Sequence, residues 1–161
     1  MTMTDLKGLR DREELRDAVM NFALAVDTLD MDLYRATFAE ACEYDLSDFN
    51  GQPPVTVKAA DWAAGIEPFL RGFDATQHLL GNLAFDVAGD RATVTADVRA
   101  EHMVINDQGD DSATMGGRYR FRLSRTGGRW RIDGFKLTAV WHRGNQGLYA
   151  MAGAGPRRRA A

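Results

Sequence analysis

The chain has a single cysteine, Cys42, in 161 residues, so no internal disulfide can form. No apolar run approaches the roughly 20 residues that a membrane-crossing helix needs. The start, Met1-Thr2-Met3-Thr4-Asp5, has neither the basic end nor the apolar stretch of a secretory signal, and a soluble, cytoplasmic protein is the expectation. There is no basic excess either: the net charge of −3 argues against nucleic acid as the main partner, because that binding needs a concentrated positive field. Nothing repeats at solenoid spacing, and low complexity is confined to the Gly, Ala and Arg tail. What is present, 45% hydrophobic and 27% charged residues, suits one globular domain large enough to bury a core and a pocket.

Asp11 with Glu14 three residues later resembles a helix-starting box, and Leu15, Val19, Phe22 and Val26 then recur at helical spacing. The pattern predicts a first helix over about residues 11–28. On the helical wheel Asp27 falls beside Met20 and Ala23, on the shoulder of the apolar stripe, where it can border a pocket. Asp30 can cap a short second helix carrying Leu33, Tyr34, Thr37 and Phe38, followed by a strand around Cys42–Leu46. After a Gly51/Pro53-Pro54 loop and a short Val55–Val57 strand comes a third helix, with Trp62, Ile66, Phe69 and Leu70 on one face. Pro68 should kink or restart it and Gly72 should end it.

From Thr76 the pattern switches to long strands over about residues 78–87, 92–105, 114–125 and 129–142, separated by turn residues. The second alternates strictly. Ala92, Val94, Ala96, Val98, Ala100, His102 and Val104 share one face, with Thr93, Thr95, Asp97, Arg99 and Glu101 on the other, so His102 points inward. Helices first and an antiparallel meander after them define an α+β domain over residues 9–150. Residues 151–161, ending in Arg157-Arg158-Arg159, are expected to be a flexible basic tail.

Several chemistries find no support. No two of the three histidines have zinc-motif spacing, so no metal is expected. The Gly144-Asn145-Gln146-Gly147 and Gly153-Ala154-Gly155 runs lack the strand-then-helix context of a phosphate loop. Cys42, Ser47, Ser112 and Ser124 lack the neighbours of an activated nucleophile. The remaining candidates are Asp27 with His78, because a carboxylate that orients an imidazole makes a general base near neutral pH without a cofactor. Taken from the residues alone, His78 reads more readily as a structural strand histidine, and Asp27 can be read as an exposed late-helix cap or salt-bridge residue. His102 and Tyr44 are candidate donors or satisfied core residues, and the direction of His142 depends on sheet curvature.

The element order, Val26-Asp27 near the end of the first helix, His78-Leu79-Leu80-Gly81-Asn82 opening the meander, and Gly128-Arg129-Trp130-Arg131-Ile132 beginning the last strand resemble the SnoaL-like branch of the nuclear-transport-factor-2-like superfamily. The resemblance implies a cone-shaped barrel of curved antiparallel sheet closed by N-terminal helices, with a deep pocket. Relatives include scytalone dehydratase, a bile-acid dehydratase, hexachlorocyclohexane dehydrochlorinase, ketosteroid isomerase and polyketide cyclases, and many are dimers. Asp27 and His78 match the catalytic dyad of the dehydratase and dehydrochlorinase members, His102 matches a second pocket histidine, and Tyr44 falls near a family tyrosine. The dehydrochlorinase lysine ahead of the dyad aspartate has no counterpart, since this helix offers Met20 and Phe22.

The expectation is therefore a cofactor-independent lyase of the dehydratase type acting on a small apolar cyclic or aromatic molecule, and assembling as a dimer or trimer. The catalytic residues would be Asp27, His78, His102 and Tyr44, and the pocket walls Phe22, Trp62, Phe69, Leu80, Phe121, Trp141 and His142. An isomerase or cyclase using the same base, or a non-catalytic binding or dimerisation module with a buried ion pair, are the alternatives. Epoxide hydrolysis would need an inward Asp-Arg-Asp set, and Asp97 and Arg99 lie in the outward phase.

Overall fold

The computed structural model describes residues 3–155. The first helix, α1 (Met3–Thr28), begins earlier than the sequence pattern predicts. Asp11 does not start it. Its side chain is buried mid-helix, where it pairs with Arg125 and with Lys7 Nζ at 3.4 Å, so its position is set by tertiary charge pairing instead of capping. The helix closes in a Schellman-type turn, with Leu29 in the left-handed region (φ 58°) and the Asp30 N–H donating to the Ala25 carbonyl at 3.1 Å. Glycine is usual at such a site; here the buried Leu29 side chain offsets a conformational cost of about 1–2 kcal/mol. Asp30 then caps α2 (Met31–Thr37), as expected, its carboxylate accepting from the Leu33 N–H at 2.9 Å.

Strand β1 (Phe38–Asp45), the short helix α3 (Ser47–Asn50) and strand β2 (Val55–Lys58) follow. Helix α4 (Ala59–Arg71) runs through Pro68 without restarting. Pro68 and Ala64, the residue whose carbonyl loses its donor, are both exposed, so solvent can replace the missing bond. The four long strands are β3 (Ala75–Ala88), β4 (Arg91–Met103), β5 (Ser112–Thr126) and β6 (Arg129–Gly144). They form the expected antiparallel meander. The sheet order is β2-β1-β6-β5-β4-β3, and β1 pairs with β6 in parallel, the one parallel pairing among the described strands. β2 and β3 are free edges, so the curved sheet is not a closed barrel; α1 and α4 cover its inner face instead.

β4 places Ala92, Val94, Ala96, Val98, Ala100 and His102 inward, all buried, as its alternation requires. Phe22 of α1 sits at the centre of the core, its ring within 5.1–6.0 Å of the rings of Tyr34, Phe38, Tyr119, Phe121 and Phe135. Truncating such a side chain typically costs about 3–5 kcal/mol. The C-terminal end differs from the sequence expectation. Leu148–Gly153 form a helix, α5, with Leu148 and Ala152 fully buried, so residues 151–153 are packed structure and not tail. Arg157-Arg158-Arg159 lie outside the described residues.

Candidate active site

The turn after α1 holds Asp27 in the last helical turn, facing the start of β3. A carboxylate there meets the negative end of the helix dipole and needs donors. It has three. His78 Nδ1 lies 2.7 Å from Asp27 Oδ1, the His78 backbone N–H donates to Oδ2 at 2.7 Å, and the Thr76 hydroxyl donates to Oδ1 at 3.0 Å. Burial opposes ionisation of Asp27. The hydrogen bond and charge of His78, its N–H and Thr76 outweigh that effect and hold the carboxyl below its ordinary value. A carboxylate against Nδ1 places a ring hydrogen there, so in the neutral form of the ring the lone pair lies on Nε2.

His78 and His102 sit on paired strands, their rings 5.4 Å apart and near perpendicular, and both line one cavity of about 110 Å³. Asp27 stands behind His78 and does not line it. His102 is 8% exposed, and burial, reinforced by the neighbouring His78, pushes its pKa down to about 3 despite the attraction of Asp27. It is therefore neutral at ordinary pH. Its Nδ1 lies 3.3 Å from the Tyr149 hydroxyl. Burial raises the hydroxyl pKa values of Tyr34, Tyr119 and Tyr149, so all three cavity tyrosines stay protonated donors.

Of the side chains expected to wall a pocket, Phe22, Trp62 and Phe69 do so. Five expected site residues lie elsewhere. Tyr44 is buried behind Trp62, stacked on it at 4.2 Å, with its hydroxyl lacking a hydrogen-bond partner. Phe121 has the right phase but is fully buried in the aromatic core deeper in the fold, and Leu80 packs against that same core. Trp141 is exposed on the outer face, its ring filling the space where a Gly116 side chain would stand. His142 is exposed, its ring 6.4 Å from that of Phe49 and outside the cavity lining. The register shift between Gly116 and Gly117 adds one residue to β6, which reverses the phase of its last residues.

Tyr34, Tyr119 and Tyr149 are the polar wall residues that the sequence pattern did not single out. Tyr119 carried a signal, since it alternates with Phe121 and Leu123 on the dry side of β5; Tyr149, after a glycine-rich loop, carried none. A larger groove of about 560 Å³ runs between α1, α2 and the β5–β6 turn, lined by residues such as Arg10, Glu14, Asp17 and Arg131. Neither histidine reaches it, and its open, mixed-charge walls suit solvent better than a reacting centre. Among the described residues, no three His, Cys, Asp or Glu side chains gather so as to hold a metal ion.

Residues 7–136 match the family model of the SnoaL-like domain. The Kfla4162 protein of Kribbella flavida is 30% identical, with 89% of this chain and 99% of that one covered and a TM-score of 0.85. Two more distant structures share the fold. One is a protein assigned as a scytalone dehydratase from Novosphingobium aromaticivorans (19% identity, 89% and 93% covered, TM-score 0.75). The other is the type-3 hexachlorocyclohexane dehydrochlorinase of Novosphingobium barchaimii (17%, 89% and 95%, TM-score 0.72). No curated protein matches the chain in sequence. With its fold, its cavity and a family model spanning most of its length in agreement, the chain belongs to the SnoaL-like domain family.

Proposed function

We propose that the protein is a cofactor-independent lyase that removes water from a small cyclic or aromatic hydroxy-carbonyl compound. One observation carries this reading: an imidazole held to a carboxylate at 2.7 Å through Nδ1 lines an aromatic-walled cavity that a second, neutral imidazole also lines. His78 Nε2 takes the proton from the carbon next to the carbonyl, and the C–H electron pair moves into the enolate. Asp27 stabilises the imidazolium so formed. His102 and a cavity tyrosine donate hydrogen bonds to the developing oxyanion. The enolate then expels the hydroxyl, which leaves as water with the proton held on His78, and the alkene remains. A neutral His102 fits hydrogen-bond donation better than proton delivery.

The supporting test is a thermal-shift screen with cyclic enones, hydroxyketones and phenols, followed by assays of each hit for water loss and for solvent deuterium at the acidic carbon. The compactness of the cavity, close to that of a void that holds one benzene ring, favours ring-sized candidates. It also favours a second reading, a ligand-binding module. Hits that bind, yet neither exchange nor react, would decide for the module. Self-association is the further expectation, with exposed Leu79 and Trp141 on the outer sheet face as the place to look by sedimentation.

A further inference from the structure

α5 contributes one side chain, Tyr149, to the cavity wall. Its position is fixed from both sides. Leu148 and Ala152 are fully buried against Phe73, Val104 and Ala113, and α5 approaches the end of α4 so closely that a Cβ on Gly72 would lie 1.9 Å from the Ala152 carbonyl oxygen. Between these anchors the Tyr149 ring stands 5.1 Å from the His102 ring, with the hydroxyl at Nδ1. The other rings around His102 are Phe73 at 4.8 Å and His78 at 5.4 Å, and no carboxylate hydrogen bond to His102 is present among the described residues.

We propose that Tyr149 is a positioning residue that sets the tautomer of His102: its hydroxyl donates to Nδ1, so the imidazole carries its hydrogen on Nε2 and offers an N–H donor to the cavity opposite His78. The proposal rests on the reading of His78 as the base and assigns the donor that faces it. A neutral imidazole has one N–H and two places for it. With the hydrogen on Nδ1, the Tyr149 oxygen would accept, its own proton would lose the acceptor beside it, and an Nε2 lone pair would enter the cavity next to the lone pair of His78. With the hydrogen on Nε2 each group has a complementary partner: phenol to Nδ1, and Nε2–H to a carbonyl or leaving oxygen of the substrate. The phenol keeps its proton throughout the working range, because burial, with help from Glu101, pushes its pKa up to about 12. α5 thus supplies a part of the site that β4 alone leaves undetermined.

Long-range proton–nitrogen NMR on the 15N-labelled full chain distinguishes a protonated from an unprotonated ring nitrogen and needs no substrate, so its outcome is independent of whether elimination is the reaction. The expected spectrum has His102 protonated on Nε2 and His78 on Nδ1. Tyr149→Phe should mix the two His102 tautomers while leaving the His78 pattern intact. His102 protonated on Nδ1 in the unaltered protein, or an unchanged His102 pattern in a folded Tyr149→Phe variant, overturns the proposal. If that variant does not fold, the unaltered protein alone decides. With a turned-over substrate in hand, Tyr149→Phe should lower kcat by about tenfold to a hundredfold, the range for groups that orient a working side chain. In a His102→Gln background, already slowed, the same change should cost nothing further, because an amide donor needs no tautomer fixed. An equal loss in both backgrounds counts against positioning.

Discussion

α1 carries two buried carboxylates that reach across to the sheet, and they are put to different ends. Asp11 pairs with Arg125, which also contacts Glu14 Oε2 at 3.6 Å and Asp90 Oδ1 at 3.1 Å and lies over the Trp130 ring at 4.4 Å. That partner is a permanent cation held among three carboxylates, and neither Asp11 nor Arg125 lines the cavity of His78: the pair is a clasp between helix and sheet. Asp27 pairs with His78, an imidazole that lines that cavity. Both carboxyls are held below their ordinary values against burial. What separates the two pairs is thus the chemistry of the partner, guanidinium or imidazole, and the space in front of it.

The contrast between the two pairs can be broken most sharply at His78. His78→Ala should lower turnover of any substrate found by about 10² to 10⁴-fold or more in steady-state assays, since positioned bases are worth that much. A variant with near-full activity would end the proposal. Asp27→Asn, which keeps the shape but loses the charge that stabilises imidazolium, should cost about 10²-fold or more in kcat, with a smaller change in KM. Asp11→Asn should do the opposite: kcat per folded molecule unchanged, but stability in urea lower by about 1 kcal/mol, because Arg125 loses one carboxylate and keeps Glu14 and Asp90. Loss of turnover without loss of stability in that variant would show that the clasp also acts on the site.

The last effect concerns pH and acts only at acid values. His102 is neutral in the fold with a pKa near 3, against 6.5 for a free histidine, so between these values the unfolded chain binds the extra proton. Stability should therefore fall as pH drops from about 6.5 toward about 3, by roughly 1.4 kcal/mol per unit from this group. His102→Phe should flatten that part of a urea-midpoint profile. The Asp11 and Asp27 contributions should vanish only lower, as pH falls below the ordinary carboxylate value of 3.8.

Much of the fold was legible because local periodicity is a faithful record of burial on a regular strand or helix. β4 shows this best, since its strict alternation alone is enough to turn His102 inward. Asp30 as a cap is equally local, a side chain reaching a backbone N–H three residues on. The record fails where one extra residue shifts the phase. Asn82, at φ 50°, marks such a shift in β3, between Gly81 and Ala84, and a second one in β6 turned Trp141 to the outer face. It fails again where depth matters more than direction: Phe121 and Tyr44 face inward, but the core and the Trp62 stack hold them away from the cavity.

By itself the sequence determined the helix-then-meander order, the inward row of β4 and, through family resemblance, the pairing of Asp27 with His78. Only the tertiary structure decided that Asp11 is a clasp, that the sheet stays open and that tyrosines from α2, β5 and α5 share a cavity with His78 and His102. The reason is physical. Periodicity encodes which side of an element is dry, whereas a reactive site depends on which elements meet, at what distance and with how much space left between them.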